Sequence, residues 1–447
     1  MQLTFSLVVV VQSCAYNDSL TIPAIPLPAC GTKMIEGYTD KTSYLPGDWV
    51  EVFLQSNSSV QCGLDFYDVG GSLAFAANVQ LFPQTIQPAE PWKNGYKFTG
   101  NAKIRLPSSL QSGIYSIENK IPFVVRSPTT SEVTVVYPIN TINAYNNSGG
   151  KSLYSFNSTG AIASPIVSFL RPIDSPTELG ECSECLKWFP SLTNIKFGYI
   201  SDVDLTDYSS LQQSKIIIIV GHSEYWSRQA RSNFDRFVDS GDHALILSGN
   251  TMWWQIRYSS AKDALVCYKN AQPDPEQDIT FKTINWTDQT LQYPILSSIG
   301  ADFVHGGYGL KKNNGWEGYR ITNPSSPLLE GLGLKQGDIV SLPSGECDGA
   351  PIKGFDAMGF PILDNGQLMF ERLELIGFDR GSRNGIETFP TFIVLQKKKS
   401  SGIIVNAGTN SWCSSSGIGS PGSGEKLKSI TKNAVMKLLN GVTLFSN

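Results

Sequence analysis

Short apolar runs that stop abruptly at Gly, Ser or Asn recur through the second two thirds of the chain. Residues 216–220 (IIIIV) end at Gly221, residues 244–247 (ALIL) break at Ser248-Gly249-Asn250, and residues 403–408 (IIVNAG) repeat the pattern. Runs of this kind read as strands buried on both faces. Between the first two, Ala230, Phe234, Phe237 and Val238 fall on one face of a helix that Ser227 can cap and Gly241 can close. A strand–helix–strand unit with parallel strands is therefore predicted. Residues 133–137 and 195–203 predict further strands, and residues 427–439 an amphipathic closing helix with Ile430, Val435, Leu438 and Leu439 inward.

Residues 33–126 have another texture. The runs 49–54 (WVEVFL), 64–67, 102–106 and 121–125 are short, β-rich and separated by Gly, Pro, Asn and Ser turns. They predict a β-sandwich over 33–127, of immunoglobulin-like or jelly-roll type. A boundary is expected at the Ser127-Pro128-Thr129-Thr130 segment. After it, residues 143–154 (NAYNNSGGKSLY) read as a loop because of Gly149 and Gly150. Residues 166–188, with three prolines nearby and a CxxC, read as an insertion, and residues 271–287 as loop.

Composition narrows the function classes. With 17% charged residues and a net charge of −4, the chain has neither the basic stripe nor the tail that nucleic acid or an anionic membrane would require. Three histidines, at 222, 243 and 305, cannot build a His-rich metal cage. No run of 18 apolar residues predicts a transmembrane helix. Residues 1–15 are expected to form a signal peptide, with the apolar stretch 3–11 followed by Ser13-Cys14-Ala15. Secretion is then expected, and Asn17, Asn57, Asn146, Asn157 and Asn285 are glycan acceptors by sequence. Eight cysteines permit disulfides; Cys182 and Cys185 read as a local disulfide or as ordinary loop cysteines, since a zinc site needs a second pair.

Ligands in open parallel sheets bind beyond the carboxyl ends of the strands. His222, Ser223, Glu224, Tyr225 and Asn250 stand at those ends. A serine elbow is disfavoured because Tyr225 replaces its second glycine. A nucleophilic cysteine is absent from the strand exit.

The stretch GHSEYWS, its helix and the following SGNTMWWQIR resemble the C-terminal domain of the N,N-dimethylformamidase large (beta) subunit family. GYTDKTSYLPGDWVEVFL and GWEGYRITNPSSPLLEGLGL are similar to the same family. The expected architecture is therefore α/β plus all-β. An N-terminal β-sandwich precedes a doubly wound, mainly parallel α/β domain over 128–441, resembling the class I glutamine amidotransferase-like fold.

The resemblance implies hydrolysis of a small amide C–N bond at one Fe(III) ion held by two tyrosines and a glutamate. Phenolate and carboxylate are hard oxygen donors suited to such an ion. Carried over, Glu224 is the glutamate, Tyr145 one tyrosine with Tyr154 as its substitute, and Tyr115 the other. His222 is implied beside substrate, Asn250 as an oxyanion donor, and Glu346 as general base with Asp348 as its rival. The family's enzyme works with a separate small subunit, so a homo-oligomer or a small partner is expected. The competing class is a secreted, non-catalytic ligand- or glycan-binding relative.

Overall fold

The computed structural model describes residues 27–129, 131–174, 178–309, 318–343 and 345–446. The expected signal peptide and Asn17 lie outside these residues. Residues 34–125 supply two sheets, one of Met34–Thr39, Trp49–Ser56 and Ala102–Arg105, the other of Ser43–Tyr44, Ile121–Val125, Gly113–Ile117, Val60–Asp68 and Leu73–Leu81. Alternation in Trp49–Ser56 turns Val50, Val52 and Leu54 inward, where they meet Leu64, Phe66, Ile117 and Phe123. A Cys30–Cys62 disulfide fastens the N-terminal approach to this core.

A nine-stranded sheet forms the centre of the remainder. Its order is Phe197–Ser201, Val133–Tyr137, Ile216–His222, His243–Gly249, Ile403–Asn406, Thr391–Gln396, Arg372–Phe378, Gly318–Ile321 and Ile339–Ser341. The first five are mutually parallel. Every later pairing is antiparallel. Ile216, Ile218 and Val220 face one core, with the Gly424–Leu439 helix, while Ile217 and Ile219 face the other, with Phe234 and Phe237. That two-sided burial explains the unbroken apolar runs.

The doubly wound, mainly parallel expectation is thereby corrected, and with it the likeness to a class I glutamine amidotransferase fold. The sheet is mixed, the smaller sheets around it are mixed or antiparallel, and among the described residues only three α-helices exceed seven residues. The error has a physical origin. Continuous apolar runs report burial on both faces and not strand direction: Thr391–Gln396 is buried except at its last residue, much like Ile216–His222, yet runs antiparallel to its neighbours.

The strand–helix–strand unit forms as its pattern predicts. Ile216–His222 pairs in parallel with His243–Gly249, from Ile216 opposite His243 to His222 opposite Gly249. The Arg228–Asp239 helix between them starts where the Ser227 side chain accepts from the Ala230 N–H at 3.1 Å. Two local readings change. Residues 143–145 are the last turn of a short helix, Ile139–Tyr145, and the CxxC lies on a helix, Glu178–Trp188, with both cysteines buried and unpaired.

Candidate active site

Three strand exits and two inserted segments meet at one end of the central sheet. The Ile139–Tyr145 helix follows the Val133–Tyr137 strand and delivers Tyr145; the glycine turn beyond it, with Gly149 at φ +81° and Gly150 at φ +107°, returns the chain to deliver Tyr154. Arg171 staples this loop. Fully buried, its guanidinium donates to the carbonyls of Asn143, Asn146, Ser148, Lys151 and Ser168. Burial lowers its pKa to about 9, which leaves it charged at neutral pH. Five carbonyls on one planar cation fix a segment that has little regular structure of its own.

Glu224 sits just past Ile216–His222 and is itself buried. Its N–H donates to Thr141 Oγ1 at 2.9 Å. Its carboxylate accepts the Tyr145 hydroxyl at 3.0 Å and the Tyr154 hydroxyl at 2.8 and 2.9 Å. Tyr225 donates in turn to the Tyr154 oxygen at 2.7 Å. The rings of Tyr145 and Tyr154 lie 4.3 Å apart, and the exposed Phe156 ring packs 5.4 Å from Tyr154. Lys269 covers the other side: its Nζ stands 3.2 Å from the centre of the Tyr154 ring and, among the described residues, meets no hydrogen-bond acceptor.

His222 lies beside this group, 1% exposed. Its Nε2 is 3.1 Å from a Glu346 oxygen and 3.6 Å from a Glu224 oxygen, and its Nδ1 is 3.4 Å from Glu181. Asn250, held at φ +51° by the turn after His243–Gly249, donates its amide to Glu346 at 2.9 Å. Asparagine tolerates that left-handed backbone better than most residues.

Charge and burial set the proton affinities. Burial, and then the facing Glu224, push the Tyr145 and Tyr154 phenols well above 10. Burial raises Glu224 as well, while His222 and Lys269 oppose it. For His222 burial alone would lower the pKa, but Glu346 and Glu181 reverse that and hold it well above its ordinary value. Burial would raise Glu346, yet His222 and the Asn250 amide bring it below the usual range. Burial lowers Lys269 to about 8 against the pull of Glu224.

The expected residues therefore divide. Tyr145, Glu224, His222, Asn250 and Glu346 come together. Tyr115 does not: it packs on Phe123 in the sandwich core and donates to the Gln111 carbonyl at 2.9 Å, and burial raises it to about 12. An inward position on a sandwich strand put it there, and the site's second phenol is Tyr154. Asn250 is partly committed, since one amide hydrogen holds Glu346. Asp348, the rival base, is fully buried and accepts from the Thr251 N–H at 3.1 Å, away from the His222–Glu346 contact. Ser223 is buried, its hydroxyl accepting from the Trp226 indole. Asn146, by sequence a glycan acceptor, is 1% exposed with its amide on the Pro172 carbonyl, which closes it to a glycan.

Lys269, Glu181 and Arg171 escaped the sequence reading. Each lies in a segment without periodicity or in one read as an insertion; only the return of buried backbone carbonyls around Gly149 hints that a cation such as Arg171 is needed. No cluster of three or more His, Cys, Asp and Glu groups gathers as a metal site among the described residues. The oxygen-rich group of Tyr145, Tyr154 and Glu224 is of another kind. No helix among them is long and apolar enough to cross a membrane.

No curated protein matches the chain. Among solved structures, a thua-like protein from Bacteroides uniformis is 12% identical over 60% of this chain and 87% of its own, at a TM-score of 0.31, a likeness too slight to carry an argument. The model of the family described as N,N-dimethylformamidase beta subunit-like, C-terminal, matches residues 64–420. That span takes in the sandwich strands from Leu64 onward, the crossover unit and every side chain around Glu224, and the chain belongs to this N,N-dimethylformamidase beta subunit-like family.

Proposed function

We propose that the protein is an amidohydrolase that uses one ferric ion to cleave the C–N bond of a small amide. The observation that carries this reading is the convergence of two phenols and a carboxylate on one buried point, Tyr145 and Tyr154 within 3.0 Å of Glu224. The donor set fits a hard cation. All three groups are oxygen donors, and each is disfavoured in its anionic form by burial, a penalty that an added cation relieves. Tyr145, Tyr154 and Glu224 would hold the ion. When bound, such an ion supplies Lewis acidity toward a carbonyl oxygen and toward water.

The chain's own groups account for the rest. Glu346, kept anionic beside His222, is placed to take a proton, and His222 Nε2, 3.1 Å from it, is the group nearest to relay one. Asn250 steadies Glu346 and keeps one amide hydrogen free for a developing oxyanion. Phe156, exposed against Tyr154, gives an apolar lip for an N-alkyl group. A relict glycan pocket would need none of this buried charge.

A small partner subunit or self-association belongs to the same proposal, as does secretion, which the Cys30–Cys62 disulfide supports. The test is protein from iron-replete expression, assayed for iron, for a phenolate-to-iron absorption band, and for amine released from N,N-dimethylformamide and other short amides. Tyr145→Phe and Tyr154→Phe should each weaken the band, and His222→Ala should lose amine release while keeping most of the metal. Colourless, iron-free protein that releases no amine would end the reading.

A further inference from the structure

Glu181 stands on the first turn of the Glu178–Trp188 helix, outside every segment so far given a role. Its contacts close a ring. One carboxylate oxygen is 3.4 Å from His222 Nδ1; the other accepts the Asn410 amide at 2.8 Å. The Asn410 side-chain oxygen accepts the Glu346 N–H at 3.0 Å, and the Asn410 N–H donates to the Glu346 carbonyl at 3.1 Å. Glu346 then returns to His222 at Nε2, 3.1 Å away.

We propose that Glu181 is a positioning residue: anchored by Asn410, it holds His222 through Nδ1 and so fixes the ring with Nε2 toward Glu346 and Glu224.

An imidazole has two nearly equivalent orientations about its ring bond, and the hydrogen bond at one nitrogen decides which atom the other presents. In a cleft where His222 has almost no exposure, the carboxylate facing Nδ1 at 3.4 Å, close enough for charge attraction though outside hydrogen-bond geometry, is what distinguishes them. The side chain of Glu181 is itself 25% exposed, so it stands at the edge of the cleft and does not block it. Sequence and local geometry together bring it there. Gly221, at φ +69°, lies immediately before His222, and a Cβ at that position would meet Cys182 Cβ at 2.9 Å and the Glu181 carbonyl carbon at 3.2 Å. The missing side chain lets the helix close on the strand end, and Cys182 and Cys185 fill the core behind it. Asn410 comes from the opposite side, past the Ile403–Asn406 strand. Three segments far apart in sequence thus commit side chains to one ring nitrogen and its counterpart.

The inference rests on the amide-hydrolysis reading only for its effect on turnover. Its first test needs no substrate. In metal-free protein at one fixed pH, ring proton and nitrogen NMR resolves only three histidines, and His222→Gln assigns the relevant one. A slowly exchanging Nδ1 proton is expected at His222. Glu181→Ala should speed its exchange at least about tenfold, by loss of the carboxylate that faces and attracts it, and leave His243 and His305 unmoved. Glu181→Gln, which keeps the shape and a neutral acceptor, should shift the same proton by less, and it serves if the alanine variant fails to fold. Glu184→Gln, on the same helix, should change nothing. With N,N-dimethylformamide or whichever short amide proves active, Glu181→Ala should lower kcat about 10- to 100-fold, the usual effect of losing an orienting partner, with KM nearly constant. A His222 Nδ1 proton that neither Glu181 variant moves would overturn the proposal. Absence of amine release from wild-type protein would instead sink the amide reading and leave the ring result to stand alone.

Discussion

Asp348 offers a quantitative check on which carboxylate near the strand exits works and which is structural. It is fully buried, its Oδ2 accepts the Thr251 N–H, and its Oδ1 meets no donor among the described residues. Burial lifts its pKa from the ordinary 3.8 to about 7, with hydrogen bonds from Thr251 opposing. Because the folded value lies above the unfolded one, the protonated acid favours the fold. That contribution is intact below pH 4 and is lost as pH rises toward and through 7. Linkage converts the difference into about 4 kcal/mol of destabilisation at pH 8. Asp348→Asn keeps the acceptor for Thr251 and cannot ionise. It should therefore match wild type at pH 4 and exceed it at pH 8. For a chain of 447 residues, about 4 kcal/mol corresponds to roughly 4 °C in Tm if unfolding is one transition. Thermal scans of the two proteins from pH 4 to 8 measure the gap directly. Glu346 predicts the reverse sign, since His222 and Asn250 hold it below its usual range and its ionised form supports the fold above that range. A gap between Asp348→Asn and wild type that does not widen with pH, or a variant less stable at pH 8, would refute the argument.

Tyr115→Phe should leave iron content and amine release unchanged, and cost about 1 kcal/mol for the lost bond to the Gln111 carbonyl; metal analysis beside denaturant unfolding checks both. Lys269→Met keeps the apolar stem over Tyr154 but removes a cation facing Glu224 that would repel a bound ion, so iron affinity at neutral pH should rise at least about tenfold, read by metal titration. Gly221→Ala should destabilise by about 1 to 3 kcal/mol because of its positive φ and its collision with Cys182, and should also loosen the His222 Nδ1 proton in the NMR assay.

What the sequence made legible follows from what its patterns physically encode. Periodicity records which faces are buried, so the Ile216–His222 strand, the Ser227 cap and the inward face of Arg228–Asp239 could be read directly. It does not record direction. Thr391–Gln396 and Ile403–Asn406 carry the same apolar signature and run opposite ways, which is why a mixed sheet was read as a parallel one. Turn glycines were located correctly but underdetermined their surroundings. Gly149 and Gly150 marked the return between Tyr145 and Tyr154, while the helix ending at Tyr145 was hidden by its asparagines, which have low helix propensity. Its stability comes instead from burial of Ile139, Ile142 and Ala144.

The candidate site divides along the same line. Residues at strand exits, His222, Glu224 and Asn250, were visible because strand ends are visible. Tyr115 was misplaced because a phenol in a sandwich strand has no sequence feature that separates a core ring from a ligand. Lys269 and Glu181 were invisible because each acts through a tertiary contact spanning tens to over a hundred residues. Their charges change the chemical argument. Among the described residues the cations facing Glu224, Glu346 and Glu181 are His222 and Lys269, and the two phenols beside Glu224 resist ionisation. A carboxylate-rich, poorly solvated cleft with too few cations is more stable with another positive charge in it. The proposal of a resident metal rests on that imbalance as well as on the donor set. It also sets a condition on the alternative: a protein that binds only neutral ligands there would have to leave the imbalance standing, and adding ferric ion to it should raise neither Tm nor phenolate absorbance.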